Sequence, residues 1–199
     1  MIRRRTLIAA GGAGALAGCS VLPRPAYIQR TTWSLAIAPP VQRPDRTRGK
    51  VLLVRDFTAA PGLDQLGVQW LNADGSVHVD FYNVWEVLPA QAIAYDARRW
   101  LAASGLFAAV VGADSGLIPD LTLEAELARF IADPPHEGRA ALSITLLNQR
   151  AVPTRVLTQR TLSATGPMPA PTPAGVVAGQ REALADVLRQ LTEVLARYA

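Results

Sequence analysis

Few side chains in this 199-residue chain have a type and spacing suited to chemistry. The two histidines, His78 and His136, stand in different segments, and the single cysteine, Cys19, is distant from both. A structural zinc site needs about four nitrogen or sulfur ligands at workable spacing, and these residues do not supply them. Gly112-Ala113-Asp114-Ser115-Gly116 hints at a serine hydrolase, but Ser115 is fourth rather than third in the run, so the G-x-S-x-G elbow is not met. A turn is the simpler reading. Glu124 and Glu126 are two residues apart and share one strand face. Glycoside hydrolysis needs carboxylates on opposite sides of a bound sugar, so this pair reads as solubilising charge. Gly12-Ala13-Gly14-Ala15-Leu16-Ala17 approximates a dinucleotide-binding glycine loop, yet no strand precedes it and no βαβ unit follows. The expectation is therefore a chain with no catalytic residue, no metal and no cofactor.

Cys19 is different, because its surroundings assign it a chemistry. Arg3, Arg4 and Arg5 form a positive leader, Thr6 to Leu16 is an uncharged stretch of eleven residues, and Leu16-Ala17-Gly18-Cys19 closes it. The stretch fits a signal-peptide core and is too short to span a bilayer. Leucine at −3 and small residues at −2 and −1 resemble the lipobox of bacterial lipoproteins. Residues 1–18 are then expected to be removed, leaving Cys19 as a lipid-modified N-terminus bearing acyl chains of the palmitate kind. The competing reading is a buried structural thiol. The paired arginines before Thr6-Leu7-Ile8 leave both Sec and Tat export open.

Removal of that segment changes the charge balance. It carries three arginines and no acid, so the net charge of +4 falls to +1 over the remaining 181 residues. A near-neutral domain has no strong electrostatic footprint for nucleic acid. Its length suits one domain with a proper core. No later stretch approaches 18 consecutive apolar residues. With its one thiol acylated the chain forms no internal disulfide. Residues 19–30, with Pro23 and Pro25, read as an extended lipidated tether, and 31–199 as the folded domain.

The elements that would position any site follow from periodicity. Trp33–Ile37 reads as a first strand and Val51–Val54 as a short central one. Gly67–Leu71 and Val77–Phe81 flank Asp74-Gly75, a hairpin signal, with Val77, Val79 and Phe81 on one face and His78, Asp80 and Tyr82 on the other. A helix is expected from Pro89 to Ser104, its stripe formed by Ile93, Ala97, Trp100 and Leu101 and its stop by Gly105. Leu106–Val111 reads as a strand. Leu121, Leu123, Ala125 and Leu127 alternate with polar residues as a half-exposed strand would. Two further antiparallel strands are expected at Ala140–Asn148 and Thr154–Ala164. A proline-rich connector follows, then a closing helix from about Pro173 to Arg197. The sum is an α+β single domain, a mostly antiparallel sheet with two main helices packed on it. Trp100 is expected in the core. Trp70 or Trp85 is expected to be partly exposed, and with Tyr82 they are the candidate contacts for a partner or lipid.

This order of segments resembles a known family. The lipobox is followed by Trp33-Ser34-Leu35, a Val51–Phe57 strand, Val77–Tyr82, Trp85 with Pro89, Leu101-Ala102-Ala103-Ser104-Gly105-Leu106-Phe107, and a closing helix with Arg181-Glu182-Ala183-Leu184. Together they resemble the ABC-type transport auxiliary lipoproteins, the PqiC-like, MCE-associated group, over about residues 31–198. Gln69-Trp70 stands where Tyr-Arg is usual, and Val84 where a basic residue often precedes the tryptophan. The resemblance implies a non-enzymatic lipoprotein on the periplasmic face of the outer membrane. Its implied partners are an MCE-domain lipid carrier and the permease and ATPase of an ABC system, with lipid as a further contact. The chain has no GxxxxGK[ST] loop, so ATP hydrolysis would belong to another subunit. Ser20 follows the cysteine, and the absence of Asp there favours the outer over the inner membrane. The alternative is a lipoprotein chaperone or pilot for another outer-membrane complex.

Overall fold

The computed structural model describes residues 28–39 and 49–199. The expected signal peptide, Cys19 and most of the tether therefore lie outside the described residues. The described strands are β1 (Thr31–Trp33), β2 (Val51–Val54), β3 (Thr58–Ala59), β4 (Gly67–Leu71), β5 (Val77–Trp85), β6 (Ala109–Val111), β7 (Leu121–Asp133), β8 (Glu137–Asn148) and β9 (Arg155–Pro167). The helices are α1 (Pro89–Ala103) and α2 (Pro173–Leu195). They form one α+β domain built on a single open sheet.

The long strand β7 organises that sheet. Along one edge it pairs antiparallel with β8 from Leu121↔Asn148 to Asp133↔Glu137, and β8 pairs antiparallel with β9. These long ladders make the sheet mostly antiparallel. The other edge of β7 takes three short strands in succession, all parallel to it: β2 at Leu121–Leu123, β3 at Glu126–Leu127 and β4 at Ala132. β6 lies outside β2, and the β4–β5 hairpin leads outward to β1, which runs parallel to β5 from Thr31↔Asn83 to Trp33↔Trp85.

The alternation read from Leu121 to Leu127 is present, with those odd-numbered residues buried. It then changes phase. A bulge between Leu127 and Arg129 inserts an extra residue, so Phe130 and Ala132 turn inward instead. The strand continues to Asp133 by this device. The outer face is polar: Glu124 lies opposite Thr145, and Glu126 opposite Ser143, whose hydroxyl is 3.0 Å from that of Thr161.

Both helices cover the inner face. α1 starts at Pro89, where a missing N–H costs nothing, and buries Ile93, Ala97, Trp100 and Leu101. α2 starts behind Thr172, whose hydroxyl accepts from the Gly175 N–H at 3.2 Å. It buries Leu184, Val187, Leu188, Leu191 and Leu195 completely. Each such side chain contributes roughly 1.5–3 kcal/mol of burial. Near its N-terminus the helix meets the sheet backbone to backbone. Gly138 on β8 and Gly166 on β9 are register partners, and a methyl on either would overlap the backbone of α2 at Gly179. The two helices are joined where the Trp100 indole Nε1 donates to Thr192 Oγ1 at 3.1 Å.

The first strand is displaced from its expected place. β1 is Thr31–Trp33, and Ser34–Ile37 leaves the ladder. Leu35 and Ile37 are buried, but they pack from a loop in which Ala36 adopts φ 38°. The Ile37 N–H finds its acceptor in the Asp96 carboxylate of α1, at 2.9 Å, rather than in a strand. The expected Leu106–Val111 strand is shortened to Ala109–Val111.

Candidate functional site

The residues with nominal catalytic potential do not converge. His78 is an exposed residue of β5, His136 sits in the turn after Pro135, and Ser115 in a turn where its Oγ accepts from the Leu117 N–H at 3.2 Å. Glu124 faces outward and pairs with Arg55 at 3.2 Å. Among the described residues no three His, Cys, Asp or Glu side chains gather as a metal centre.

What the structure does build is a hairpin, β4–β5, with an exposed apolar surface. Its tip is the Asp74-Gly75 turn. Gly75 takes φ 83°, which only glycine adopts without strain, and the Asp74 carboxylate accepts from the Ser76 N–H and hydroxyl at 2.9 and 2.6 Å. Those hydrogen bonds, the hydroxyl's first, hold the Asp74 carboxyl below the ordinary carboxylate value. Trp70 of β4 and His78 of β5 are register partners and stack with ring centroids 4.1 Å apart. Trp70 is half-buried and His78 covers its outer side.

Past Val79 the two strands lose register. Gln69 pairs with Val79, but Gly67 pairs with Val84, so residues 80–83 of β5 bulge out of its pairing with β4, while Asn83 pairs with Thr31 of β1. Asp80 holds that bulge. Its Oδ1 accepts from the N–H groups of Tyr82 and Asn83 at 2.7 and 3.0 Å, and its Oδ2 from the Asn83 side chain at 2.8 Å. Burial pushes the Asp80 carboxyl up, but the Asn83 and Tyr82 donors outweigh it and hold the group below its ordinary value. Asn83 Oδ1 in turn accepts from the Trp33 indole at 3.1 Å, which ties the bulge to β1. At the apex Phe81 is 71% exposed and Tyr82 41%, their rings edge to face at 5.2 Å. The Arg30 guanidinium lies 5.4 Å over the Phe81 ring.

The stripe of Val77 and Val79 borders an open groove of about 510 Å³, whose apolar lining includes Leu63, Leu71, Phe130 and Ile131. Val77 and Val79 are 52% and 40% exposed, so the apolar face of β5 looks out of the molecule. A second hollow, of about 490 Å³, lies between Ser34–Ala36 and α1, beside Tyr95, Asp96 and Arg99. Burial raises the Asp96 carboxyl above its ordinary value, against the opposing pull of the Ile37 N–H and Arg99.

Of the three candidate contact residues, Tyr82 is exposed and Trp70 half-buried. Trp85 is not at the surface: it is 2% exposed and packs on Phe130, with ring centroids 5.4 Å apart. Its N–H donates to the Leu66 carbonyl at 2.7 Å. Trp85 thus belongs to the core. Trp100 is in the core as expected, 6% exposed. The groove itself was not foreseen. Its signal was the run of alternating apolar residues on β5, which sequence alone assigns to one face without saying which way that face looks.

The fold and this hairpin define an α+β domain: a one-sided sheet with an exposed apolar edge, and no catalytic centre assembled among the described residues. The chain belongs to the family described as the ABC-type transport auxiliary lipoprotein component, whose sequence model matches residues 33–192. Solved structures are similar in fold. A Xanthomonas campestris protein superposes with a TM-score of 0.72 at 21% identity, covering 84% of this chain and 95% of that one. An uncharacterized protein gives 0.63 at 16% identity, covering 84% and 99%. A hypothetical protein from Chlamydia trachomatis gives 0.51 at 9% identity, covering 76% and 98%. At these identities the likeness concerns the fold. No curated protein matches the chain. A lipoprotein family implies attachment to a membrane by lipid. No helix of the described residues is long and apolar enough to cross one.

The segment Arg181-Glu182-Ala183-Leu184, which helped carry the resemblance, serves packing. Ala183 and Leu184 are fully buried, and the Arg181 guanidinium donates to the Ser34 carbonyl, tying α2 to the chain just after β1.

Proposed function

We propose that this protein is an accessory lipoprotein of an ABC/MCE-type lipid transport system, held on the periplasmic face of the outer membrane by acyl chains on Cys19. The observation that carries the reading is the family match over residues 33–192, joined to the Leu16-Ala17-Gly18-Cys19 run that precedes it. The ABC association comes from the family. The MCE-domain carrier as docking partner, and the permease and ATPase as fellow subunits, rest on the resemblance of the ordered segments. The role is non-enzymatic: the domain receives or docks a lipid carrier and leaves ATP hydrolysis to another chain. Ser20, rather than Asp, after the cysteine supports the outer membrane as the destination.

Crosslinking in cells followed by affinity purification of a tagged protein tests the partner. Recovery of an MCE-domain protein with ABC subunits is the expected result, and recovery of only unrelated envelope proteins would refute the transport role. Metabolic labelling with an alkyne fatty acid tests the anchor. The wild type should incorporate label and partition with outer membranes, whereas Cys19→Ser should do neither. A Cys19→Ser protein that was still cleaved after residue 18 and stayed in the membrane through a salt wash would refute the lipid anchor.

A further inference from the structure

We infer that the β5 bulge, with Phe81 and Tyr82 at its apex and the Val77–Val79 stripe beside it, is a second membrane contact that seats the domain on the bilayer holding its lipid anchor. The inference rests on the proposed acylation of Cys19, because the anchor supplies the surface.

Three observations carry it. The first is the exit point of the chain. β1 runs parallel to β5, so the chain preceding Thr31 comes alongside Phe81, and Arg30 sits over that ring at 5.4 Å. The tether therefore departs beside the bulge. The second is length. Eight residues, Ser20 to Tyr27, separate the lipid attachment at Cys19 from Ile28. Fully extended they reach about 30 Å, so the bulge is always within one small-domain diameter of the membrane. The third is chemistry and order. An exposed phenylalanine, a tyrosine with a polar tip and an arginine beside them match the amphipathic side chains favoured at the headgroup level. Asp80 fixes the backbone that displays them through three hydrogen bonds, so the rings are presented in a preset arrangement. A preordered aromatic pair loses little freedom on insertion. Val77 and Val79 extend the apolar surface toward the hairpin tip.

The occupant is a lipid bilayer rather than a peptide, because the anchor already holds the bilayer at this face. The acyl chains hold the protein at the surface, and a second weak contact within tether reach changes the orientation of the tethered domain without needing high affinity of its own.

Depth-dependent quenching tests this with the full-length acylated protein in phosphatidylethanolamine/phosphatidylglycerol vesicles. A bimane label is placed at Val77→Cys, on the stripe, or at Ile118→Cys. Ile118 is 74% exposed in the loop before β7, at the end of that strand remote from the hairpin. From Leu121 to Phe130 alone the strand spans about 30 Å. Brominated lipid should quench the label at 77 at least threefold more than at 118, and adding Phe81→Ser/Tyr82→Ser should abolish the difference. Circular dichroism and the thermal midpoint of that exposed double variant show that it folds. Flotation of the protein with the vesicles reads the anchor separately. Flotation with equal quenching at 77 and 118, or a difference that survives Phe81→Ser/Tyr82→Ser in a folded protein, overturns the contact while leaving the anchor intact. Failure to float overturns the anchor, and this inference with it.

Discussion

Three aspartates show how single residues hold irregular backbone in place, and they respond oppositely to pH. Asp80 closes the β5 bulge and Asp120 joins the start of β2 to the β8–β9 turn, accepting from the Val51 N–H at 2.8 Å and from Arg150 at 2.7 Å. The Val51 N–H first, then Arg150, holds the Asp120 carboxyl below its ordinary value. A lowered carboxyl contributes stability that is present above the unfolded value and lost as pH falls through the folded one. Asp96, raised by burial, works the other way: the folded state binds its proton more tightly, so its contribution declines as pH rises above the unfolded value near about 4. Urea unfolding across that range should therefore show Asp120→Asn losing less stability on acidification than the wild type. Asp96→Asn keeps an acceptor for the Ile37 N–H and removes the ionisation, so the decline due to this group as pH rises above the unfolded value should vanish. For the bulge, Asp80→Ala strands three donors and should cost about 1–3 kcal/mol. Hydrogen exchange at the Tyr82 and Asn83 amides should rise with it; unchanged protection there would mean that the bulge does not depend on this carboxylate.

At the scale of elements, the weakest tolerance is where α2 meets β8 and β9. Gly138→Ala places a methyl against the Gly179–Gln180 backbone, which has no side-chain end to swing away. We expect a loss of about 1–3 kcal/mol in chemical denaturation, as for other overpacked sites. Thr172→Ala, which removes only the α2 cap, should cost about 1 kcal/mol. Both helices were legible within two residues because proline marks each start and an apolar stripe each body. The β8–β9 hairpin was legible as two strand-like segments paired across Gln149–Pro153. The 127/129 bulge was not, since its extra residue cancels the alternation that identifies a strand. The parallel docking of β2, β3 and β4 along β7 was equally hidden, because pairing between distant segments leaves no local pattern. Ser34–Ile37 carries strand-like alternation, yet its amide partner is Asp96, 59 residues away. The hairpin site was legible in its residues and turn but not in its orientation. Val77, Val79 and Phe81 form a face that would suit a core, and only the outward position of β5 exposes it.

Across the whole molecule, the helices cover one sheet face, the other face is polar, and the apolar surface of β5 lies beside the point where the tether departs. That arrangement makes tether length a physical variable. With eight residues between Cys19 and Ile28, the bulge experiences a high effective concentration of bilayer surface, and this falls roughly as the −3/2 power of linker length once the span is comfortably reached. Inserting about 20 Gly/Ser residues after Ser20 should lower that concentration about sixfold. Because the acyl chains still hold the protein, the membrane-bound fraction should not change. Quenching of the label at residue 77 should fall toward that at 118, and a variant with added apolar surface at the bulge, such as Tyr82→Trp, should restore part of it. If quenching at 77 persisted unchanged with the longer tether, the hairpin would bind the bilayer strongly by itself. A protein beginning at Ser20, with neither signal segment nor acyl chain, would then have to associate with vesicles through Phe81 and Tyr82, which flotation of that form measures directly.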